Sequence, residues 1–78
     1  MNDVRRKQLA KILSEVESAK AELETIRDAE SEAYDNLSEN LKSAERGERM
    51  SEVVDNLGEA IDKLEEVIDT IGDSMGNQ

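Results

Sequence analysis

The side chains in this sequence that could do chemistry are almost all carboxylates. Twenty Asp and Glu stand against ten Lys and Arg in 78 residues, with no histidine, no cysteine and one aromatic, Tyr34. Ser-His and Cys-His nucleophilic pairs, Cys/His zinc sites and disulfides all need side chains this chain does not have. Di-metal helical bundles draw on Glu together with a Glu-x-x-His pair, and that pair is missing too. Oxygen-only sites for Ca²⁺ or Mg²⁺ remain chemically open. The two candidate segments are Asp55-Asn56-Leu57-Gly58-Glu59 and Asp69-Thr70-Ile71-Gly72-Asp73. Both miss the alternating donor spacing of a calcium loop and read as solvated acidic faces. The expectation is no catalytic residue, no metal ligand and no cofactor: a protein that is not an enzyme.

Binding is the chemistry left over. Between residues 28 and 39 lie five acids, Asp28, Glu30, Glu32, Asp35 and Glu39, and no base, with Tyr34 among them. Tyrosine buries area at low entropic cost and keeps a polar handle, which suits it to binding hot spots. Asp28, Glu32, Tyr34, Asp35 and Glu39 are therefore the candidate partner-binding residues. The competing reading has Tyr34 packing inward while the acids keep the surface soluble. At the other extreme, Arg5, Arg6, Lys7 and Lys11 face only Asp3 within residues 1–13, whereas residues 14–78 carry six basic and nineteen acidic side chains. The formal charge of −10 repels phosphate, so no direct nucleic-acid partner is expected. No run of about 18 apolar residues occurs, and no charged-then-apolar leader, so neither a membrane partner nor secretion is expected.

These groups need elements to hold them, and the hydrophobic spacing supplies two. Leu9, Ile12, Val16, Ala19, Leu23, Ile26, Ala33 and Leu37 recur in steps of three and four, with Glu30 the one interruption. Met50, Val53, Leu57, Ala60, Leu64, Val67 and Ile71 repeat the pattern. Such a/d heptads form helices, not strands. Asn2 or Asp3 can cap the first helix, since either side chain offers an oxygen to an orphan N–H. Residues 37–43 concentrate short polar side chains that compete with helix bonds, and Ser38 and Ser43 are both candidate N-caps. Gly72 is a candidate stop. The expected domain is single: helix one over about residues 3–36, a link over 37–43, helix two over about 44–72, and a frayed tail over 73–78.

A short link makes the helices antiparallel neighbours. Folding about residue 40 pairs positions whose numbers sum to about 80, so Leu9 meets Ile71, Val16 meets Leu64 and Leu23 meets Leu57. Glu30 would then lie beside Arg46 and Arg49, and the basic start of helix one, Lys7 and Lys11, beside Asp73 and Asp69. Val54, Ile61 and Ile68 repeat at sevens next to the a/d seam, and Leu13 widens the face of helix one. Such an a/d/e stripe is wider than a two-helix seam. Val54, Ile61, Ile68 and Leu13 are therefore the candidate oligomer interface. The expected fold class is all-α: an antiparallel two-helix, coiled-coil-like hairpin that dimerises into a four-helix bundle.

The segment from Ala33 to Met50, with Ala33-Tyr34-Asp35-Asn36-Leu37-Ser38-Glu39-Asn40-Leu41 at its centre, resembles small acidic proteins of uncharacterised function encoded by phages and prophages. The Asp-Asn-Leu and Ala-Ile-Asp heptads that follow extend the likeness over most of the chain. Where such proteins often carry a proline after the Asn-Leu pair, this chain has Ser38, which lets a helical turn continue. The resemblance implies a bacterial cytoplasmic setting and a non-enzymatic protein that binds a host protein. Two other expectations compete: an acidic DNA mimic that blocks a nucleic-acid-binding defence protein, and a purely structural oligomer. DNA mimicry is the weaker fit, because duplex DNA carries about one charge per 1.7 Å and this chain is far sparser.

Like charges stand at i,i+4 in Asp28/Glu32, Asp35/Glu39, Glu48/Glu52, Asp55/Glu59 and Asp62/Glu66, and such pairs weaken helices. Moderate salt screens them. Helicity by circular dichroism should therefore rise between low salt and 0.5 M; a falling signal contradicts the self-repulsion.

Overall fold

A computed structural model of the chain describes residues 2–76 and is all-α. Its order is α1 (Asp3–Asp35), α2 (Glu39–Lys42) and α3 (Glu45–Gly76). The two long helices pack side by side into a hairpin 58 Å long and 13–14 Å across.

Local chemistry sets the boundaries. The Asn2 side-chain oxygen accepts a hydrogen bond from the Arg5 amide at 2.8 Å, which satisfies one of the donors a helix start leaves bare. α1 closes where the Asn36 and Leu37 amides donate to the Glu32 and Tyr34 carbonyls. Ser38 then caps α2, its hydroxyl accepting from the Leu41 amide at 3.3 Å. Ser43 does not cap α3. Its hydroxyl donates back to the Glu39 carbonyl at 3.0 Å and ends α2. The link is thus a single helical turn wedged between two bends.

α3 leaves that turn through Gly47, the tightest point of the fold. A methyl group at Gly47 would sit 2.5 Å from the Lys42 carbonyl oxygen and would also overlap the Leu41 carbonyl. Only a residue with no Cβ lets α3 cross so close to α2. At the other end α3 does not stop at Gly72. It runs on to Gly76, so residues 73–76 of the expected tail are helical, and residues 77–78 lie outside the described residues. The glycine keeps helical backbone angles because Met75, seven residues beyond Ile68, is half-buried and extends the packed stripe by one more turn. Packing overrides the weak stop signal of a glycine.

The inward stripes are not the a/d seams. On α1 the shielded positions include Leu9, Leu13, Val16, Lys20, Leu23, Arg27, Glu30 and Tyr34, with Leu37 just beyond its end; on α3 they include Gly47, Met50, Val54, Leu57, Ile61, Leu64, Ile68 and Ile71. These are the a and e columns of each heptad. Ile61, at 5% exposure, is the one buried large side chain among the described residues. The large d-column side chains turn outward instead, with Ala60 among them half-buried: Ile12 is 45% exposed, Ile26 55%, Val53 40% and Val67 42%.

The register differs as well. Lys20 of α1 bonds to Glu65 of α3, and these numbers sum to 85 rather than 80. The turn of α2 moves the fold's centre from residue 40 to about residue 42, which slides α3 by four to five positions. Val16 therefore levels with Ile68, and Leu23 with Ile61. Lys11 no longer reaches Asp69; it pairs with Glu15 on its own helix at 3.8 Å.

Gly58 provides the contrast to Gly47, since a methyl group built there meets nothing within 4 Å. Gly47→Ala should lower stability by about 1–3 kcal/mol through backbone displacement. Gly58→Ala should raise it by about 0.5–1 kcal/mol, because glycine weakens a helix interior. Urea unfolding at one fixed protein concentration reads both, and equal effects at the two sites contradict the close crossing at Gly47.

Candidate interaction surface

The candidate tip residues are placed together, but not as one surface. Asp28, Glu32, Asp35 and Glu39 are exposed around the bend between α1 and α2. Tyr34 is not exposed with them. It stands in the inward e column, half-buried, with the Lys42 ammonium 5.5 Å from its ring centroid. Lys42 also lies 3.8 Å from Glu39. A cation over the ring face is attracted by the ring quadrupole. Tyr34 therefore spends its aromatic face holding α2 down on the neck of the hairpin. Asp28, for its part, accepts from the Arg27 guanidinium at 3.1 Å.

The expected oligomer stripe is reassigned. Val54, Ile61 and Ile68, with Leu13 opposite, face the intramolecular seam, so they are not the apolar surface left over for another chain. The reason is the make-up of the two columns. The e column offers the continuous apolar surface Val54-Ile61-Ile68-Met75, whereas the d column carries Arg46 at one end and Ser74 at the other. The larger apolar column is hidden first.

What remains outside is the d columns, and helix geometry puts both on one side of the hairpin. In a heptad, d lies about 60° from a on the side away from e. Because the helices run in opposite directions, this offset points to the same side on both. Ile12, Ala19, Ile26 and Ala33 from α1 therefore run alongside Val53, Ala60 and Val67 from α3. One open concavity on this side, of about 530 Å³, has Glu30 of α1 and Arg46, Arg49, Met50 and Val53 of α3 among its lining residues. Glu30 thus shares its surroundings with the two arginines expected near it, while Arg49 itself bonds to Glu45 at 2.6 Å.

The opposite side has a different character. Its b columns carry Ala10, Glu17, Glu24 and Ser31 on α1, and Ser51, Gly58, Glu65 and Gly72 on α3. Here Lys20 and Glu65 join the helices, and the Lys20 ammonium is held above its ordinary value of 10.5, chiefly by its hydrogen bond to Glu65. One side of the hairpin is small and polar; the other is an apolar stripe.

Among the described residues no group of three or more Asp or Glu is arranged to hold a metal ion, and no helix is long and apolar enough to cross a membrane. Comparison with protein-family models, curated proteins and solved structures yields no match.

The Lys20–Glu65 pair gives a pH signature. A cation with a raised value in the fold contributes stability that is fully present below about 10.5, its unfolded value, and is lost as pH rises through the higher folded value. Lys20→Met should therefore flatten the loss of stability above pH 10.5, read as the urea midpoint against pH. An unchanged alkaline slope contradicts the pairing.

Proposed function

We propose that this protein works by association and not by turnover: a helical hairpin that packs its outward apolar stripe against other helices. The observation that carries the reading is the pair of d columns, with Ile12, Ile26, Val53 and Val67 each 40–55% exposed along one side of a hairpin in which, among the described residues, Ile61 is the one large side chain buried. Contiguous apolar surface on a small soluble domain marks an interaction site. Covering it turns each narrow two-helix seam into the wide stripe of a bundle.

The arrangement that completes this surface is a homodimeric four-helix bundle. Two copies, each 8.7 kDa, bring four helices around one apolar centre. The acid-coated outside then serves a second, heterologous contact, with the exposed carboxylates of Asp28, Glu32, Asp35 and Glu39 around the bend. The likeness to phage-encoded acidic proteins supports a host protein as that second partner. The mechanism is occupation of a surface, steric and electrostatic.

Sedimentation equilibrium should give twice the monomer mass for the native sequence at sub-millimolar concentration. Ile26→Asp, which sets a charge in the outward stripe, should shift the protein to monomer. Ile61→Asp should instead unfold the hairpin, because its carboxylate would be buried against α1 without a partner. A native protein that stays monomeric, or an Ile26→Asp variant that keeps the dimer mass, overturns the reading.

A further inference from the structure

We infer that the second copy docks on the d-column stripe with both hairpin bends at the same end, so that α1 of each copy lies along α3 of the other. The inference rests on the association reading above and adds to it an orientation, a register and an ion pair.

Two observations select this arrangement. The first is charge on the flanks. Beside each d column, on the outer edge, runs a g column, and the two edges of the hairpin differ in sign. The α1 edge carries Gln8, Glu15, Glu22, Ala29 and Asn36; the α3 edge carries Arg49, Asn56, Lys63 and Thr70. One edge is acidic and the other basic, and they lie too far apart on one copy to meet. Two face-to-face arrangements of twofold symmetry exist. With the bends at opposite ends, α1 lies on α1 and α3 on α3, so Glu15 and Glu22 face their own kind, as do Arg49 and Lys63. With the bends together, the acidic edge of each copy lies along the basic edge of the other. In coiled coils, g-edge charges choose partner and orientation in this way.

The register agrees in detail. Lys20–Glu65 levels positions whose numbers sum to about 85. Glu22 of one copy then levels with Lys63 of its partner, and Asn36 with Arg49. No like-charged pair arises along either edge. Lys63 is 71% exposed and reaches Glu59 on its own helix at 3.2 Å, so its ammonium sits at the surface where a second carboxylate can join.

The second observation is side-chain size. At the same register the outward d residues share levels as Ala19 with Val67, Ile26 with Ala60, Ala33 with Val53 and Ile12 with Ser74. Each level holds one branched and one small side chain. Laid on a twofold mate with the bends together, each branched residue faces a small one across the interface, which fills successive layers evenly.

Charge reversal tests the arrangement, since both g positions are on the surface and neither variant disturbs the seam. Glu22→Lys alone and Lys63→Glu alone should each weaken dimerisation by roughly tenfold, because each homodimer then holds two like-charged pairs. Mixing the two variants should restore native affinity as a heterodimer, in which both pairs are again opposite in sign. A mixture no tighter than either variant alone overturns the proposal. The orientation is read independently in the cysteine-free chain by a nitroxide on Asn40→Cys. The spin–spin distance should be no more than two hairpin widths of 13–14 Å, and a distance approaching the 58 Å length overturns it. A native protein that is monomeric in sedimentation removes the association reading itself. A dimer with a long label distance removes only this arrangement.

Discussion

Two helices lying side by side can each hide a strip roughly two residue columns wide, and α3 has three apolar columns, a, d and e. Which two turn inward decides everything else about the surface. The a columns, Leu9-Val16-Leu23-Leu37 and Met50-Leu57-Leu64-Ile71, are hidden on both helices. The contest is between d and e; the turn of α2 brings α3 back along α1, and the unbroken e run Val54-Ile61-Ile68-Met75 faces inward. Gly47 makes that turn possible, because α3 must start against the backbone of Leu41 and Lys42 with no side chain between. Ile61 then becomes the buried centre and the d columns become surface.

The cost of hiding the e columns falls on α1. Its e positions are Leu13, Lys20, Arg27 and Tyr34, only one of them aliphatic. The other three each have a polar partner: Lys20 pairs with Glu65 across the seam, Arg27 with the neighbouring Asp28, and Tyr34 with Lys42 above its ring. Long side chains can lay their stems along apolar surface and send their charge outward. The hairpin therefore closes with a polar side, through Lys20 and Glu65, and an apolar side, through the d columns. This asymmetry leaves the rod with one apolar side and one polar side.

Much of the fold was legible in the sequence. The heptads from Leu9 and from Met50, the Asn2 and Ser38 caps, and the antiparallel pairing all follow from spacing and capping chemistry. The inward stripe was not legible, because a, d and e are all apolar on α3 and the sequence does not state how the chain crosses residues 37–43. A bend centred on residue 40, even with a helical turn in the link, implies a register near 80; with the turn capped by Ser38 and closed by Ser43, Lys20 pairs with Glu65 at a sum of 85, and Val54, Ile61 and Ile68 lie on the inner side. Gly72 misled for a related reason, since local stop signals are weak against another turn of packing through Met75. Of the candidate site residues, the four acids are exposed around the bend, whereas Tyr34 follows the competing reading and packs the neck, with Lys42 over its ring.

The register and the choice of columns stand or fall together, and methyl contacts within one chain report both. In a sample where only a minority of chains carry isotope label, nuclear Overhauser effects between labelled methyls arise inside a single molecule. The predicted result is a strong contact between Ile61 and Leu23, with Val16 contacting Ile68. Contacts of Leu23 with Leu57 and Val53, and none with Ile61, would place α3 in the other register and contradict the account.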